Sequence, residues 1–292
     1  MRTKHITVQI DLDKVRASAE EIARRTRVAV IAVVKADAYG LGALRVCDAL
    51  VPVVSEFAYF YASEAREVGR GGIVIGPPDG EPHEYRELKL RPTIGLIADA
   101  ERFRGMPIAV NIDTGMQRFG CEPDEIDRIA ACASEPEYHT HAASIEQVRQ
   151  LVELCGDRVG RRMAASSSLI HDPSAWLDGV RPGVSLYRGA MRVSSRIVAV
   201  RDLRGPAGYT RFESRRVGIM LGGYSNHLQS APVLVNGRRQ MMLEVGMNTC
   251  FVSLDAADSV GDEVVLLGDG LSEAEVGKPL NIREHEVLCR YG

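Results

Sequence analysis

Val28-Ala29-Val30-Ile31-Ala32-Val33-Val34-Lys35-Ala36-Asp37-Ala38-Tyr39-Gly40 runs from an unbroken apolar segment into a lysine and a glycine-containing turn. A run of small and β-branched residues bounded in this way reads as a strand buried on both faces, as in a parallel sheet. Its last side chain then projects where connecting loops meet a ligand. An amine in that position is partly stripped of water, which lowers a lysine pKa and leaves the free amine available as a Schiff-base nucleophile.

Upstream, Asp11 is a candidate N-cap, and Leu12, Val15, Ala19, Ile22 and Ala23 fall on one helical face before the strand begins. Downstream, short apolar runs predict strands at 57–61, 72–75, 92–96, 108–112, a short one ending near His141, 162–165 and 184–187. With 28–34 these make eight. Helix starts are readable between them: Pro123 suits a first helical turn, and Ser144 with Gln147 makes a capping-box pair. Eight strands separated by helices favour a closed (β/α)8 TIM-type barrel, an α/β fold, over a doubly wound sheet. Roughly 185 residues is short for a barrel that usually needs about 200, so some connections must be trimmed, most of all in the segment 76–92. After Gly189 the pattern turns to short alternating segments separated by Gly, Asn and Asp turns. This predicts a small, mostly β C-terminal domain. The expected division is a barrel over 1–190 and a β domain over 191–292.

The 292 residues carry a net charge of −3 with both signs interspersed, which argues against a nucleic-acid or anionic-membrane surface. The six cysteines show no C-x-x-C spacing and read as reduced, mostly buried thiols. No segment has the apolar length of a signal peptide or a membrane span. The expectation is a soluble, cytoplasmic protein with no metal site.

Val34-Lys35-Ala36-Asp37-Ala38-Tyr39-Gly40 resembles the pyridoxal-phosphate attachment motif of alanine racemases, and further segments resemble that family in the same order along the chain. The resemblance implies pyridoxal 5'-phosphate as cofactor, carried on Lys35 and touched by Tyr39. Asp113-Thr-Gly-Met-Gln-Arg118-Phe-Gly120 is similar to the D-T-G-M-x-R-x-G signature. It implies that Arg118 contacts the substrate carboxylate and the cofactor's phenolic oxygen, a task suited to a bidentate guanidinium. Arg181-Pro-Gly-Val-Ser-Leu-Tyr187 looks like R-P-G-I-x-L-Y. Arg181 then faces the pyridine nitrogen, and the amides of Gly183 and Val184 bind phosphate. Tyr138-His-Thr-His141-Ala142 matches T-H-F-A, which makes His141 the partner of a catalytic tyrosine. Gly222-Gly-Tyr224-Ser-Asn226 resembles G-Y-A-D-G, whose tyrosine enters the partner subunit's site as second base. Gly246-Met247-Asn248 resembles a segment that offers the Met247 N–H to the substrate carboxylate.

Departures accompany these matches. Asn111 stands where many members have a carbamylated lysine, so an amide or a bound anion is expected to orient Arg118. His285 replaces a phosphate-binding tyrosine. Met163-Ala-Ala-Ser-Ser-Ser168 stands for H-A-A-N-S-A, keeping the phosphate serine as Ser167 and losing the histidine and asparagine. The resemblance implies an amino-acid racemase, an isomerase with alanine as the default substrate, acting through two bases, Lys35 and Tyr224, in a homodimer with shared active sites. Another barrel-type pyridoxal-phosphate enzyme, a decarboxylase or aldolase, is an alternative, as is a non-catalytic cofactor-binding protein.

Overall fold

The structure is a computed structural model and describes residues 5–292. The chain forms two compact units. One holds residues 12–38 and 42–186, the other the segment through Asp11, residues 39–41 and residues 187–292.

The first strand, β1 (Thr7–Ile10), belongs to the second unit, where it pairs antiparallel with β10 (Met191–Asp202). The first unit is a closed parallel barrel of β2 (Ala29–Val33), β3 (Glu56–Tyr59), β4 (Gly72–Val74), β5 (Leu90–Ile94), β6 (Ile108–Asn111), β7 (Pro136–His139), β8 (Arg162–Met163) and β9 (Gly179–Val180). The run that opens the sequence reading is β2, with Val30 to Val34 all buried. It pairs with β3 on one side and β9 on the other, which closes the ring. Gly179 keeps the closure close-packed, because a Cβ there would meet Ala29 O, Ile31 Cδ1 and Met163 Sδ, each at a tight 3.1 Å. The preceding helix, Leu12–Thr26, buries Val15, Ala19 and Ile22 as its periodicity predicts.

The eighth barrel strand corrects the sequence reading. Val184–Tyr187 is a short helix, and the strand is Gly179–Val180, so Arg181 follows it instead of leading into it. A four-residue apolar run does not distinguish strand from helix, and a two-residue strand leaves no periodicity to read. The seventh strand is likewise only Arg162–Met163, and His141 lies beyond the end of β7. The segment 76–92 contains a helix at Pro82–Glu87.

The base of the barrel is ionic. Arg91 lies 3.1 Å from Glu56 and 3.4 Å from Glu137, while Arg161 lies 3.2 Å from Glu56 and 2.5 Å from Glu137. Each carboxylate thus meets both guanidiniums, the arrangement a half-buried charge requires if it is not to be destabilising.

In the second unit, β10 to β15 form an antiparallel ring: β11 (Arg216–Leu221), β14 (Thr249–Ser253), β13 (Arg238–Val245), β12 (Pro232–Val235) and β15 (Glu263–Leu267), with a β10–β15 pairing that closes it. Two helices, Glu273–Gly277 and Glu284–Tyr291, follow. Five cysteines are buried and Cys289 is exposed, all as free thiols. Among the described residues, no helix is long and apolar enough to cross a membrane.

Candidate active site

The C-terminal ends of the barrel strands gather most of the residues singled out from the sequence, at the face where the loops of such barrels carry chemistry. Lys35 follows β2 and is half-buried, its Nζ 5.6 Å from the centroid of the Phe60 ring. The chain then turns left-handed for four residues: Ala36, Asp37, Ala38 and Tyr39 have φ of 53°, 52°, 53° and 58°. Each non-glycine residue in that region costs about 1–2 kcal/mol, so other contacts must hold the turn. Glu64 supplies several of them. One carboxylate oxygen accepts from Ala36 N at 2.7 Å, the other from Phe60 N at 2.7 Å and Tyr61 N at 3.2 Å. Asp37 adds a bond from Ala43 N to Oδ1 at 2.6 Å.

Between the loops after β8 and β9, the Ser167 hydroxyl accepts from Gly183 N at 2.9 Å and Ser185 N at 3.2 Å, and lies 3.0 Å from the Ser185 hydroxyl. Two backbone N–H groups and the Ser185 hydroxyl thus converge on the Ser167 oxygen. Arg181 is inward of it. Its Nη2 donates to the carbonyls of Thr140 and Met163. Loss of water and the charge of Arg118 pull its pKa down to about 10, with Glu137 acting against them. The group still stays protonated near neutrality.

His141 lies above Thr140 at the mouth. His141 is exposed over part of its surface, but loss of water around the crowded ring, and then the charges of Arg181, Arg118 and Lys35, bring its pKa down to about 4, which favours the neutral imidazole. Arg118 is exposed on the loop after β6, its guanidinium 5.1 Å from the Phe119 ring centroid. A cavity of about 150 Å³ lies beside it, lined in part by Thr93, Asn111, Arg118 and Phe119. Thr93 Oγ1 is buried with no hydrogen-bond partner.

The remaining candidates belong to the second unit. Tyr224 begins a single turn, Tyr224–Asn226, and is 56 % exposed. Gly223 permits that turn because a Cβ there would lie 2.1 Å from Gly246 O. Ser225 ties it to Met247, donating from N at 3.1 Å and from Oγ at 2.7 Å to the Met247 carbonyl. Tyr224 and Met247, far apart in sequence, thus share one exposed edge. Tyr39 stacks at 5.1 Å on Tyr187, and burial followed by the neighbouring Cys289 pushes its phenol up to about 12. His285 is half-buried on Glu284–Tyr291.

Sequence reasoning missed Glu64 and Glu137. Glu64 carried a readable signal, as an acid at the third position of the helix Ala62–Val68 where a capping carboxylate belongs. For Glu137 the signal was an acidic residue in a β-run, an isolated charge whose partners lie on other strands.

The chain matches the family model described as alanine racemase, N-terminal domain, over residues 10–133, and the model described as alanine racemase, C-terminal domain, over residues 190–292. An alanine racemase of Shewanella sp. (strain ANA-3) is 28% identical over 331 aligned residues, covering 91% of this chain and 90% of that protein. One from Nitrosospira multiformis is 29% identical over 323 aligned residues, covering 90% of each. The crystal structure of the biosynthetic alanine racemase from Pseudomonas aeruginosa superposes with a TM-score of 0.89 at 25% identity, covering 99% of this chain and 98% of that one. A parallel barrel with a lysine at the end of its first strand and a serine-amide cluster after its last two, joined to an antiparallel β unit and matched by both halves of one family, places this chain in the alanine racemase family.

Proposed function

We propose that this protein is a pyridoxal-phosphate-dependent amino-acid racemase, an isomerase whose default substrate is alanine, working as a homodimer with shared sites. The observation that carries the reading is the pairing of the Ser167 cluster with Lys35 and Arg181 on one face of the barrel. Ser167 holds the amides of Gly183 and Ser185, the donor set a phosphate ester needs. Arg181 is half-buried and its guanidinium bonds to carbonyls, which leaves its charge available to a ring nitrogen. The residues therefore fit the cofactor. Lys35 would hold it through its amine. Ser167 and the amides of Gly183 to Ser185 would hold its phosphate, with Tyr39 and His285 added by the family resemblance. When bound, the cofactor supplies an electron sink for negative charge developing at the substrate Cα.

The chain's own residues supply the rest. Arg181 stays protonated and so keeps a facing pyridine nitrogen unprotonated, which restrains the sink and disfavours transamination. Arg118 pairs with the substrate carboxylate, with the Met247 N–H as a further donor, and Asn111 or an anion in the adjoining cavity orients the guanidinium. Racemisation needs a base on each face of Cα. Lys35 Nζ takes or returns the proton on one face, and the Tyr224 phenol from the partner subunit does so on the other. His141, held neutral, has one ring N–H that can donate to the phenol oxygen and so orient it and stabilise negative charge developing there as its proton leaves.

The test is titration of the purified protein with pyridoxal phosphate, followed by Cα deuterium uptake from solvent across a panel of amino acids. Exchange accompanied by racemisation, lost in Lys35→Ala, is the expected result. Loss of carbon dioxide, a retro-aldol product, or a visible chromophore without exchange would each overturn it.

A further inference from the structure

His139 ends β7 and is 0 % exposed, yet the chemistry above does not use it. Strand alternation places Glu137 on the same inward face, and His139 Nε2 lies 3.3 Å from Glu137 Oε2. Glu137 in turn holds Arg161 at 2.5 Å and Arg91 at 3.4 Å. Arg181 is a further charged neighbour, whose Nη2 donates to the carbonyl of Thr140, directly after His139, and at 3.4 Å to that of Met163. Met163 is the register partner of His139 on β8. The charged groups facing the imidazole are thus Glu137 on its own strand, Arg91 on β5 and Arg181 on the loop after β9. Neither ring nitrogen has an aligned hydrogen bond to the protein.

This placement dictates a protonation pattern. Burial and two neighbouring guanidiniums hold the ring neutral, with its pKa down at about 4. A neutral imidazole has one N–H, and an ionised carboxylate only accepts, so the proton belongs on Nε2 toward Glu137. Nδ1 is then left as a buried acceptor with no partner of its own, and the nearby donor whose charge acts on the ring is the Arg181 guanidinium. An apolar residue of similar volume would fill the space without stranding two polar atoms, so packing alone does not account for a histidine here.

We propose that His139 is a positioning residue for Arg181: a neutral imidazole that donates from Nε2 toward Glu137, accepts at Nδ1 from the guanidinium, and thereby ties Arg181 to the ionic base of the barrel. The link to catalysis rests on the racemase reading, in which Arg181 faces the cofactor ring. The row Glu56, Arg91 and Arg161, Glu137, His139, Arg181 then spans the barrel from base to mouth, and the imidazole transmits orientation without adding charge.

The experiment begins on cofactor-free protein. Histidine side-chain nitrogen NMR is expected to find His139 neutral and protonated on Nε2 through the neutral range, with an Nδ1 resonance that moves in Arg181→Gln. A proton on Nδ1, or an Nδ1 signal indifferent to that substitution, overturns the proposal. With cofactor added, His139→Phe should lower kcat on the order of tenfold, the scale seen when outer partners of a functional group are removed, and should change the pH dependence of the cofactor's absorption. His139→Gln, which keeps a donor and an acceptor, should restore much of both, as should the exchange His139→Met with Met163→His, which returns an imidazole from the adjacent strand. A purely structural histidine gives the opposite order, with phenylalanine tolerated and the exchange without benefit. If His139→Phe does not fold, the parent's NMR tautomer and the glutamine variant still decide. A parent that binds no cofactor would remove the racemase reading and leave the tautomer result to judge His139 on its own.

Discussion

The Ser167 hydroxyl accepts two backbone N–H bonds where an anion would accept them, so its contribution to ligand binding can be isolated by removing a single oxygen. Ser167→Ala leaves the amides of Gly183 and Ser185 in place and deletes one hydroxyl donor to a charged phosphate, a bond worth about 1.5–3 kcal/mol. Cofactor affinity, read by absorbance titration, should fall by at least about tenfold, and the unfolding midpoint of the cofactor-free protein should fall modestly because the two amides lose their acceptor. His139 makes a different prediction. Its pKa of about 4 in the fold lies below the ordinary value of 6.5, so the unfolded chain binds the proton more readily. The stability this group confers is therefore complete above its unfolded pKa and is lost as pH falls toward the folded one. The loss amounts to roughly 3 kcal/mol across that window. Denaturant unfolding of the parent and of His139→Gln at about pH 7.5 and about pH 4 should show the parent losing more than the variant by about that amount; equal losses would contradict the assignment.

The left-handed turn after β2 is the element on which the lysine depends. Four consecutive positive φ values in non-glycine residues are tolerated because the carboxylate of Glu64 gathers three amides around them. Ala36 is exposed and contributes only a strained Cβ, so Ala36→Gly should stabilise the fold by about 1 kcal/mol without moving Lys35. A rise in the denaturant midpoint with unchanged turnover is the expected result, and a fall in stability would show that the turn is not under strain. Only Asp37 in Ala36-Asp37-Ala38-Tyr39 is of a type prone to positive φ, which is too little to betray this conformation, and the clamp that enforces it comes from another element. The strand before it was legible because a fully buried parallel strand must be apolar throughout. Pairings set by register were hidden: β1 meets β10 across most of the sequence, and Gly179–Val180 closes the barrel with too few residues to leave a pattern. The same limit hid the site's inner support. Lys35, Arg118, Arg181 and Ser167 sit in local motifs, whereas Glu137 and His139 acquire their roles from strands that the barrel brings beside them.

At the scale of the whole molecule, the proposal divides one active site between two copies of the chain, with Lys35 supplied by one and Tyr224 by the other. Tyr224 is 56 % exposed on its turn, beside an equally exposed Met247, as an edge that completes another subunit's site would be. A two-fold dimer of this kind contains two equivalent sites, each requiring both residues. Lys35→Ala dimers and Tyr224→Phe dimers should therefore both be inactive in racemisation. When the two variants are unfolded together and refolded, half of the dimers are mixed by random assortment. In each mixed dimer one site combines the intact lysine of one copy with the intact tyrosine of the other, and the second site lacks both. Activity should return to about one quarter of the parent's, following the fraction of mixed dimers as the mixing ratio is varied. A mixture that stays inactive while sizing as a dimer would place both residues of each site in the same chain, and an active mixture whose yield does not follow the mixing ratio would mean that one of the two bases is dispensable.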